Sequence, residues 1–298
     1  MLALNRPFPS IIISERILRD PLVRNGQVDL FLYHYQDHYQ EVSLVLETIK
    51  GKLKEIEEKE QVRIIHAVES GSRAWGFASP DSDYDVRFIY IRKPEAYMHL
   101  EKTRDVIEWQ LDDTLDINGW DLQKALRLLH RSNPTLFEWN ESPIVYRTTE
   151  AWAELQPLIR ACFLEKPGLY HYLSMAKSNY REYLKSDMVR LKKYFYVLRP
   201  VLACRWILEH QSAPPMAFSE LAEVCLPTEL KPEVDRLLEM KMAASEMEYG
   251  PRIDAINSYL DESIQEISDA ITAMPSRAQL PWKNLNDMFI RLVREFAP

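Results

Sequence analysis

Two apolar stretches separated by small and acidic residues constrain the fold of this chain more than any other feature. Residues 62–68 are nearly continuously apolar and rich in branched side chains, and residues 86–91 form a second such run. Short apolar runs bounded by turn residues predict buried strands of a sheet. Gly71-Ser72 follows the first predicted strand, and Asp83-Tyr84-Asp85 leads into the second.

The small residues of the Gly71-Ser72 turn suit the binding of phosphate. Without bulky side chains, backbone N–H groups and the Ser72 hydroxyl can approach phosphate oxygens closely. A helix that begins near Ser72 would add the positive end of its dipole. The turn is therefore predicted to orient a phosphorylated ligand.

The acidic pair predicts a metal-assisted reaction at phosphorus. Because side chains alternate along a strand, Asp83 and Asp85 share one face, roughly 6–7 Å apart at Cα. Two carboxylates aimed at one point repel each other unless a cation lies between them. Two hard divalent ions about 3.5–4 Å apart satisfy both carboxylates and hold the attacking and leaving oxygens of an in-line displacement. Turn and acids together indicate nucleotidyl transfer.

A third carboxylate follows in the strand-like segment 115–117. Asp116 stands between apolar neighbours, where a carboxylate is costly unless it meets a cation or a hydrogen-bond donor. We predict that it is a third metal ligand and the general base for an incoming hydroxyl. Asp121 is expected to cap the next helix. Weaker candidates, expected at a solvated edge and a hairpin turn, are Glu108, Asp112 and Asp113.

Other interpretations of the acids are less satisfactory. Asp81, Asp83 and Asp85 match the first half of an EF-hand loop, but Val86 replaces its glycine and Arg92 its final glutamate. The sequence also has no Gly-Lys-Ser/Thr of a P-loop. A solvated, aspartate-rich turn between two strands remains the alternative to a metal site.

These motifs resemble those of a known family. Residues 70–77 (SGSRAWGF) and 82–87 (SDYDVR) resemble the nucleotidyltransferases of the DNA polymerase β superfamily, and more narrowly their RNA repair pathway (RlaP-type) branch. Two further stretches, 116–122 and 132–139, fit that branch. The resemblance covers residues 60 to 147 closely and continues loosely to about 210.

The resemblance implies roles for individual residues. Gly71 and Ser72 would hold a nucleoside triphosphate, with ATP expected, Asp83 and Asp85 would hold two Mg²⁺ ions, and Asp116 would complete one metal site. The implied acceptor is an RNA end. Arg73 and Arg87 are predicted to help at the triphosphate, although pairing of Arg87 with the neighbouring carboxylates stays open.

The length and composition predict two domains of mixed α/β class. At 298 residues with 46% hydrophobic and 28% charged residues, the chain is expected to be globular. We predict a catalytic domain with a mixed sheet and an N-terminal extension over residues 1–147, then an α-helical substrate-binding domain over 148–298. One helix is predicted from 189 to 210, kinked or divided at Pro200. The role of residues 1–55 and the oligomeric state stay open.

The charge is unevenly distributed. The net charge of −8 argues against a protein that coats nucleic acid, yet residues 177–205 hold eight basic and two acidic side chains. Lys192 and Lys193 are predicted to contact the triphosphate or the acceptor, with tyrosines interleaved for stacking. The alternative is a solvated basic face with its aromatic residues in the core.

The sequence predicts a cytoplasmic protein without a membrane partner, since no apolar run approaches 18 residues and three scattered cysteines make no disulfide framework. The function predicted is magnesium-dependent transfer of a nucleoside monophosphate from an NTP to a hydroxyl, with release of pyrophosphate. A protein or small-molecule acceptor, as in an AMP-transferring regulator, stays open. So does a non-catalytic nucleotide sensor or toxin–antitoxin partner.

Overall fold

The computed structural model describes residues 28–79, 82–101, 103–112, 114–243 and 249–298, without the side chains of 28–43, 110–112 and 243. Residues 1–27 of the predicted N-terminal extension therefore lie outside the described residues. The extension ends in a long helix, α1 (Val28–Glu60). The chain divides into two compact units within this helix, after Lys52, and all that follows concerns the second unit, Leu53–Pro298. The predicted division at residue 147 stays a prediction.

A five-stranded mixed sheet forms the first half of this unit, which confirms the predicted fold class. Its strands are β1 (Val62–Glu69), β2 (Tyr84–Arg92), β3 (Val106–Asp112), β4 (Leu115–Asp121) and β5 (Val145–Thr148), in the order β3-β4-β2-β1-β5. The β2–β4 pair is parallel and the other three pairs are antiparallel. The interior strand β1 is buried along almost its whole length, as its apolar sequence predicts.

Helices connect and follow the strands. Their bounds are α2 (Gly71–Trp75), α3 (Leu122–His130), α4 (Pro134–Asn140), α5 (Glu150–Ala161), α6 (Glu165–Tyr183), α7 (Phe195–His210), α8 (Phe218–Cys225), α9 (Lys231–Ala243), α10 (Asp254–Ala273) and α11 (Trp282–Phe296). Asp121 caps α3 by accepting the N–H of Gln123 at 2.7 Å, as predicted. No helix in the described part of the chain is long and apolar enough to cross a membrane.

The predicted helix 189–210 is wrong in its first third. Met188–Arg190 forms a short strand, β6, that pairs with β7 (Tyr249–Pro251), and Leu191–Tyr194 is a 3₁₀ turn. Residues 188–190 form a strand despite their helical sequence pattern, because they pair with a segment about sixty residues away. Such a distant partner leaves no signal in the local sequence. The helix that follows, α7, continues through Pro200 rather than dividing there.

One face of the sheet changes from polar to apolar along its strands. Ile89 and Ile91 of β2 belong to the same buried core as Leu126 and Leu129 of α3. Since side chains alternate along a strand, Asp85 and Arg87 lie on that same face, nearer the start of β2. The core thus ends where the polar residues begin, and it fixes the backbone that carries them.

A buried histidine ties strand β1 to the helices. His66 of β1 is 4% exposed, and its ring stacks on Trp152 of α5 at a centroid distance of 4.2 Å. Its two ring nitrogens lie 3.3 Å from Thr148 Oγ1 and 3.4 Å from the carbonyl oxygen of Trp139. Burial lowers the pKa of His66 from 6.5 to about 4, against weaker opposing hydrogen bonds.

We expect His66 to make the fold sensitive to acid. Between pH 6.5 and 4 the unfolded chain binds a proton at His66 that the folded chain excludes, so this stability is complete above pH 6.5 and lost as the pH falls. The loss is on the order of 3 kcal/mol. Urea unfolding of His66→Phe should show a flatter pH dependence over this window, whereas exposed His99→Phe should behave as the wild type. An unchanged slope in His66→Phe would contradict this assignment.

Candidate active site

The Gly71-Ser72 turn lies directly against the acidic strand. Gly71 has a φ of +60°, and a Cβ atom built there would lie 2.0 Å from Asp85 Oδ2. The short helix α2 begins at Gly71 and ends at Gly76, which adopts the left-handed conformation. Glycine is needed at position 71 both for the backbone conformation and for the close approach of the carboxylate. The predicted turn and its helix are confirmed.

Two of the three predicted acids are brought side by side by strand register. In the parallel β2–β4 pair, Asp85 is the direct partner of Asp116. Arg87 lies between them: its Nη2 atom is 2.7 Å from Asp85 Oδ1 and 2.7 Å from Asp116 Oδ2. Its Nη1 atom donates to the carbonyl oxygens of Asp116 at 3.0 Å and Val86 at 3.1 Å. The pairing of Arg87 with its neighbouring carboxylates, one of the two alternatives above, is thus observed.

The neighbouring charges of the site act on Asp85. Burial raises the pKa of Asp85 above its usual range, and Arg87 opposes that rise. The negative charges of Asp116 and Asp83 raise the pKa of Asp85 further. The Asp116 side chain is not buried among the apolar residues of its strand, because it is 53% exposed. Solvent and Arg87, rather than a buried partner, stabilise its charge.

Arg73 fixes the loop that carries Asp83. Its Nε atom donates to the carbonyl oxygen of Asp83 at 3.1 Å and its Nη2 atom to that of Ser82 at 2.6 Å. The guanidinium also lies over the ring of Tyr84, 3.7 Å from its centroid. The Asp83 side chain is exposed to solvent. Arg73 therefore holds the backbone of the acidic pair, and its predicted contact with the triphosphate stays a prediction.

The residues present fit a divalent cation. Within the described ranges, no three His, Cys, Asp or Glu side chains are already grouped closely enough to hold a metal ion. However, Asp85 and Asp116 converge on one nitrogen of Arg87, so a positive group already occupies a point that both carboxylates reach. Carboxylate oxygens are the ligands that Mg²⁺ prefers. Asp83 lies close enough for its charge to raise the pKa of Asp85.

Aromatic rings connect Lys193 with the Gly-Ser helix, α2. Its Nζ atom is 4.2 Å from the ring centroid of Tyr183 and 4.7 Å from that of Tyr196. The Tyr196 ring meets Trp75 of α2 edge-on at 5.7 Å. The neighbouring Lys192 is half-buried in the same 3₁₀ turn. The helical half of the unit thus brings a lysine next to the predicted phosphate-binding helix.

Most of the basic segment serves structure instead. Arg199 is 2% exposed, donates to Glu138 at 2.8 Å, and lies over the ring of Trp75 at 4.6 Å. Other basic side chains of the segment are paired with the helix α10: Lys177 with Ser268, Lys185 with Asp261, and Arg205 with Ser263 and Glu266. These side chains therefore serve the structure, and the predicted contact of Lys192 and Lys193 with the triphosphate or the acceptor stays a prediction.

The interleaved tyrosines divide in the same way. Tyr180 is buried and donates to Asp261 at 2.6 Å, and Tyr194 is buried and donates to Asn257 at 2.7 Å. Tyr183 and Tyr196 are only half-buried and flank Lys193. Alternation of basic and aromatic residues in the sequence does not distinguish these two groups, because neighbouring helices decide which rings are covered.

A buried glutamate beside the turn was missed by the sequence analysis. Glu69, the last residue of β1, is fully buried, accepts the backbone N–H of Asp85 at 2.7 Å and accepts the hydroxyl of Tyr146. Burial raises the pKa of Glu69 to about 7, opposed by these two hydrogen bonds. The available signal was an ionisable residue that ends an apolar strand two positions before Gly71.

Of the weaker acidic candidates, Glu108 and the backbone of Asp112 lie where they were expected. Glu108 of β3 is exposed and forms an ion pair with Arg104 at 2.6 Å. Asp112 ends β3 at the hairpin that leads into β4, and its side chain lies outside the described part of the structure, as does Asp113. Neither observation adds a ligand to the site.

Comparison with known sequences decides the family. Residues 45–291 match the profile described as RlaP, RNA repair pathway DNA polymerase beta family. This chain belongs to that family. Among its relatives is "Uncharacterized protein YcgL" of Bacillus subtilis (strain 168), which is 46% identical over 249 residues, 83% of this chain and 96% of the relative. The family resemblance of the Gly-Ser and aspartate motifs is confirmed.

A solved structure also matches, but weakly. It is that of a nucleotidyltransferase-like protein from Exiguobacterium sibiricum 255-15, with 14% sequence identity over 76% of this chain and 75% of its own. The TM-score of 0.28 is too low to support an inference about the fold. The assignment to the polymerase beta family therefore depends on the sequence match and on the site itself.

Alanine at each of the two glycines with a left-handed backbone, Gly71 and Gly76, should distinguish the cost of backbone strain from the cost of displacing the Asp85 carboxylate. Gly76→Ala meets no atom within 4 Å and should cost about 1 kcal/mol of unfolding free energy through its φ alone. Gly71→Ala carries the same kind of strain and must also displace Asp85, which should add about 1 kcal/mol or more. Urea unfolding measures both. Equal losses in the two variants would contradict the packing of Asp85 against Gly71.

Proposed function

We propose that this protein is a magnesium-dependent nucleotidyltransferase that transfers a nucleoside monophosphate from an NTP, ATP first among them, to a hydroxyl of an RNA end. The observation that carries the proposal is the convergence of Asp85 and Asp116 on one point, beside the Gly71 turn, whose lack of a side chain lets the Asp85 carboxylate lie against it. Membership of the RNA repair pathway family supports both the chemistry and the acceptor.

In the proposed reaction an oxygen of the acceptor hydroxyl forms a bond to the α-phosphorus of the NTP. The bond from that phosphorus to the bridging oxygen breaks, and pyrophosphate leaves with the electron pair. Asp116, whose side chain is more accessible than that of Asp85, takes the hydroxyl proton. Bound Mg²⁺ would neutralise charge on the phosphates and orient the reacting oxygens.

Each remaining residue of the site has a positioning or binding task. Asp83 and Asp85 would hold the metal, with Asp116 completing one site. Gly71 and Ser72 would orient the triphosphate through backbone N–H groups and a hydroxyl. Arg87, whose side chain is 18% exposed, places a positive charge between Asp85 and Asp116 and favours a polyanionic ligand there.

The helical half is proposed to bind the substrates. Residues 148–298 would form a domain whose Lys192 and Lys193 contact the triphosphate tail or the RNA. Half-buried Tyr183 and Tyr196 beside Lys193 offer ring faces for bases. Such a contact mixes charge with stacking, which is how proteins bind single-stranded ends.

The carboxylates should be indispensable for transfer. With Mg²⁺, each α-labelled NTP and a pool of small RNAs, the wild-type protein should label RNA and release pyrophosphate. Asp83→Asn and Asp85→Asn should lose at least about a hundredfold in rate, because neither isostere carries the charge that holds the metal. Asp254→Asn, which removes an exposed charge in α10, is the matched control and should leave transfer unchanged.

The destination of the label distinguishes the other possibilities. Label on protein would favour an AMP-transferring regulator, and label on a small molecule would replace RNA by that acceptor. NTP binding without pyrophosphate release under any condition would favour the nucleotide sensor. Any of these results would overturn the RNA-end proposal.

Removal of the Lys193 charge should weaken substrate binding without disturbing the fold. Lys193→Met should raise the NTP or RNA concentration at half-saturation about five- to tenfold, since a charged contact to phosphate contributes on the order of 1 kcal/mol or more. Lys283→Met removes the same charge from α11, where the lysine pairs with Asp287, and is the control. Steady-state titration of each substrate measures both variants. Equal values for the two variants would exclude Lys193 from the binding surface.

A further inference from the structure

The end of β1 contains a carboxylate that the proposed reaction does not use. Glu69 has no exposed surface, so it cannot contact an NTP or an acceptor. Both of its carboxylate oxygens are nevertheless engaged: Oε1 accepts the backbone N–H of Asp85 at 2.7 Å, and Oε2 accepts the hydroxyl of Tyr146. A buried carboxylate with two specific donors is costly to maintain unless it performs a task.

The contact with Asp85 replaces part of the strand ladder. The β1–β2 register ends with Glu69 opposite Val86, and one residue further Ser70 still donates its N–H to the carbonyl oxygen of Asp85 at 2.8 Å. In a regular antiparallel pair the carbonyl of residue 70 would accept the Asp85 N–H in return. Because the chain turns at Gly71, the Glu69 side chain accepts that N–H instead. The Asp85 backbone thus stays fixed where the strand pairing stops.

The segment before and within β5 holds Glu69 in turn. The backbone N–H of Glu69 donates to the carbonyl oxygen of Ile144 at 2.9 Å, and the carbonyl oxygen of Glu69 accepts the Ser142 hydroxyl at 2.6 Å. With the Tyr146 hydroxyl on the side chain, three groups from residues 142–146 fix the backbone and carboxylate of one residue. The rotamer of Glu69 is therefore determined by the edge strand of the sheet.

We propose that Glu69 is a positioning residue that, together with Tyr146, sets the Asp85 carboxylate for metal binding. This inference depends on the proposed function, in which Asp85 is a metal ligand. Glu69 acts as a hydrogen-bond acceptor at the Asp85 N–H and not through contact with substrate. A side chain that can still accept this hydrogen bond should therefore substitute for Glu69. A side chain that cannot accept it should not.

The experiment is a titration of the full-length protein with Mn²⁺, followed by electron paramagnetic resonance, with thermal unfolding measured beside it. Glu69→Gln keeps an oxygen for the Asp85 N–H and can donate to the Tyr146 oxygen, so its Mn²⁺ affinity should stay within about threefold of wild type. Glu69→Ala removes the acceptor and should weaken Mn²⁺ about tenfold or more, as loss of groups that orient metal ligands does. Val68→Ala, a truncation in the same strand, controls for lost stability and should bind Mn²⁺ as the wild type does.

Tyr146→Phe provides a second test should Glu69→Ala fail to fold. It removes only the hydroxyl that orients Glu69 and should weaken Mn²⁺ binding by at least threefold. An affinity equal to that of the wild type in Glu69→Ala, or in Tyr146→Phe where the alanine variant does not fold, would overturn the inference. Equal weakening in Glu69→Gln and Glu69→Ala would also overturn it, because charge rather than hydrogen bonding would then be the cause.

Asp85→Asn separates this inference from the proposed function. It should abolish the tight Mn²⁺ site if Asp85 is a ligand. Weak binding in Asp85→Asn with normal binding in Glu69→Ala would overturn only the role of Glu69. Normal binding in Asp85→Asn would overturn both proposals.

Discussion

The parallel pairing of β2 with β4 is the constraint on which the site depends. It makes Asp85 the direct partner of Asp116, two residues that are thirty-one positions apart in the chain. Two carboxylates on adjacent strands repel each other, and the guanidinium of Arg87 between them offsets that repulsion. A slip of one residue would turn Asp116 to the other face and leave the acids unpaired. Register, rather than proximity in sequence, creates the site.

The rest of the unit supports that register from two sides. Beneath the polar residues, Ile89 and Ile91 continue on the same face into the helical core, which anchors β2. At the end of the β1–β2 ladder, the side chain of Glu69 accepts the next backbone N–H, that of Asp85. Arg199, buried against Trp75 and Glu138, ties the Gly-Ser helix to the helical half. A buried ion pair of this kind fixes geometry more than it adds stability.

The same arrangement explains why the side chains of the basic segment fall into two groups. Its helices pack against α10, whose Asp261 and Glu266 neutralise Lys185 and Arg205, so these charges stabilise contacts between helices. Where the helical pattern breaks at β6 and the 3₁₀ turn, Lys193 instead lies between the half-buried rings of Tyr183 and Tyr196. The proposed binding surface is thus concentrated at the irregular part of the segment rather than spread along its helices.

Much of this protein was determined by its local sequence. The apolar runs 62–68 and 86–91 specify strands because their branched residues suit a buried sheet, and the turn at Gly71 and the helix cap at Asp121 are short-range features that the local sequence predicts. Tertiary structure alone decided the rest. The strand at 188–190 forms because a distant segment pairs with it, and the buried position of Arg199 follows from the helices around it. Glu69 became recognisable only when the fold brought Tyr146 and the Asp85 backbone to it, since hydrogen bonds between distant segments leave no pattern in either one.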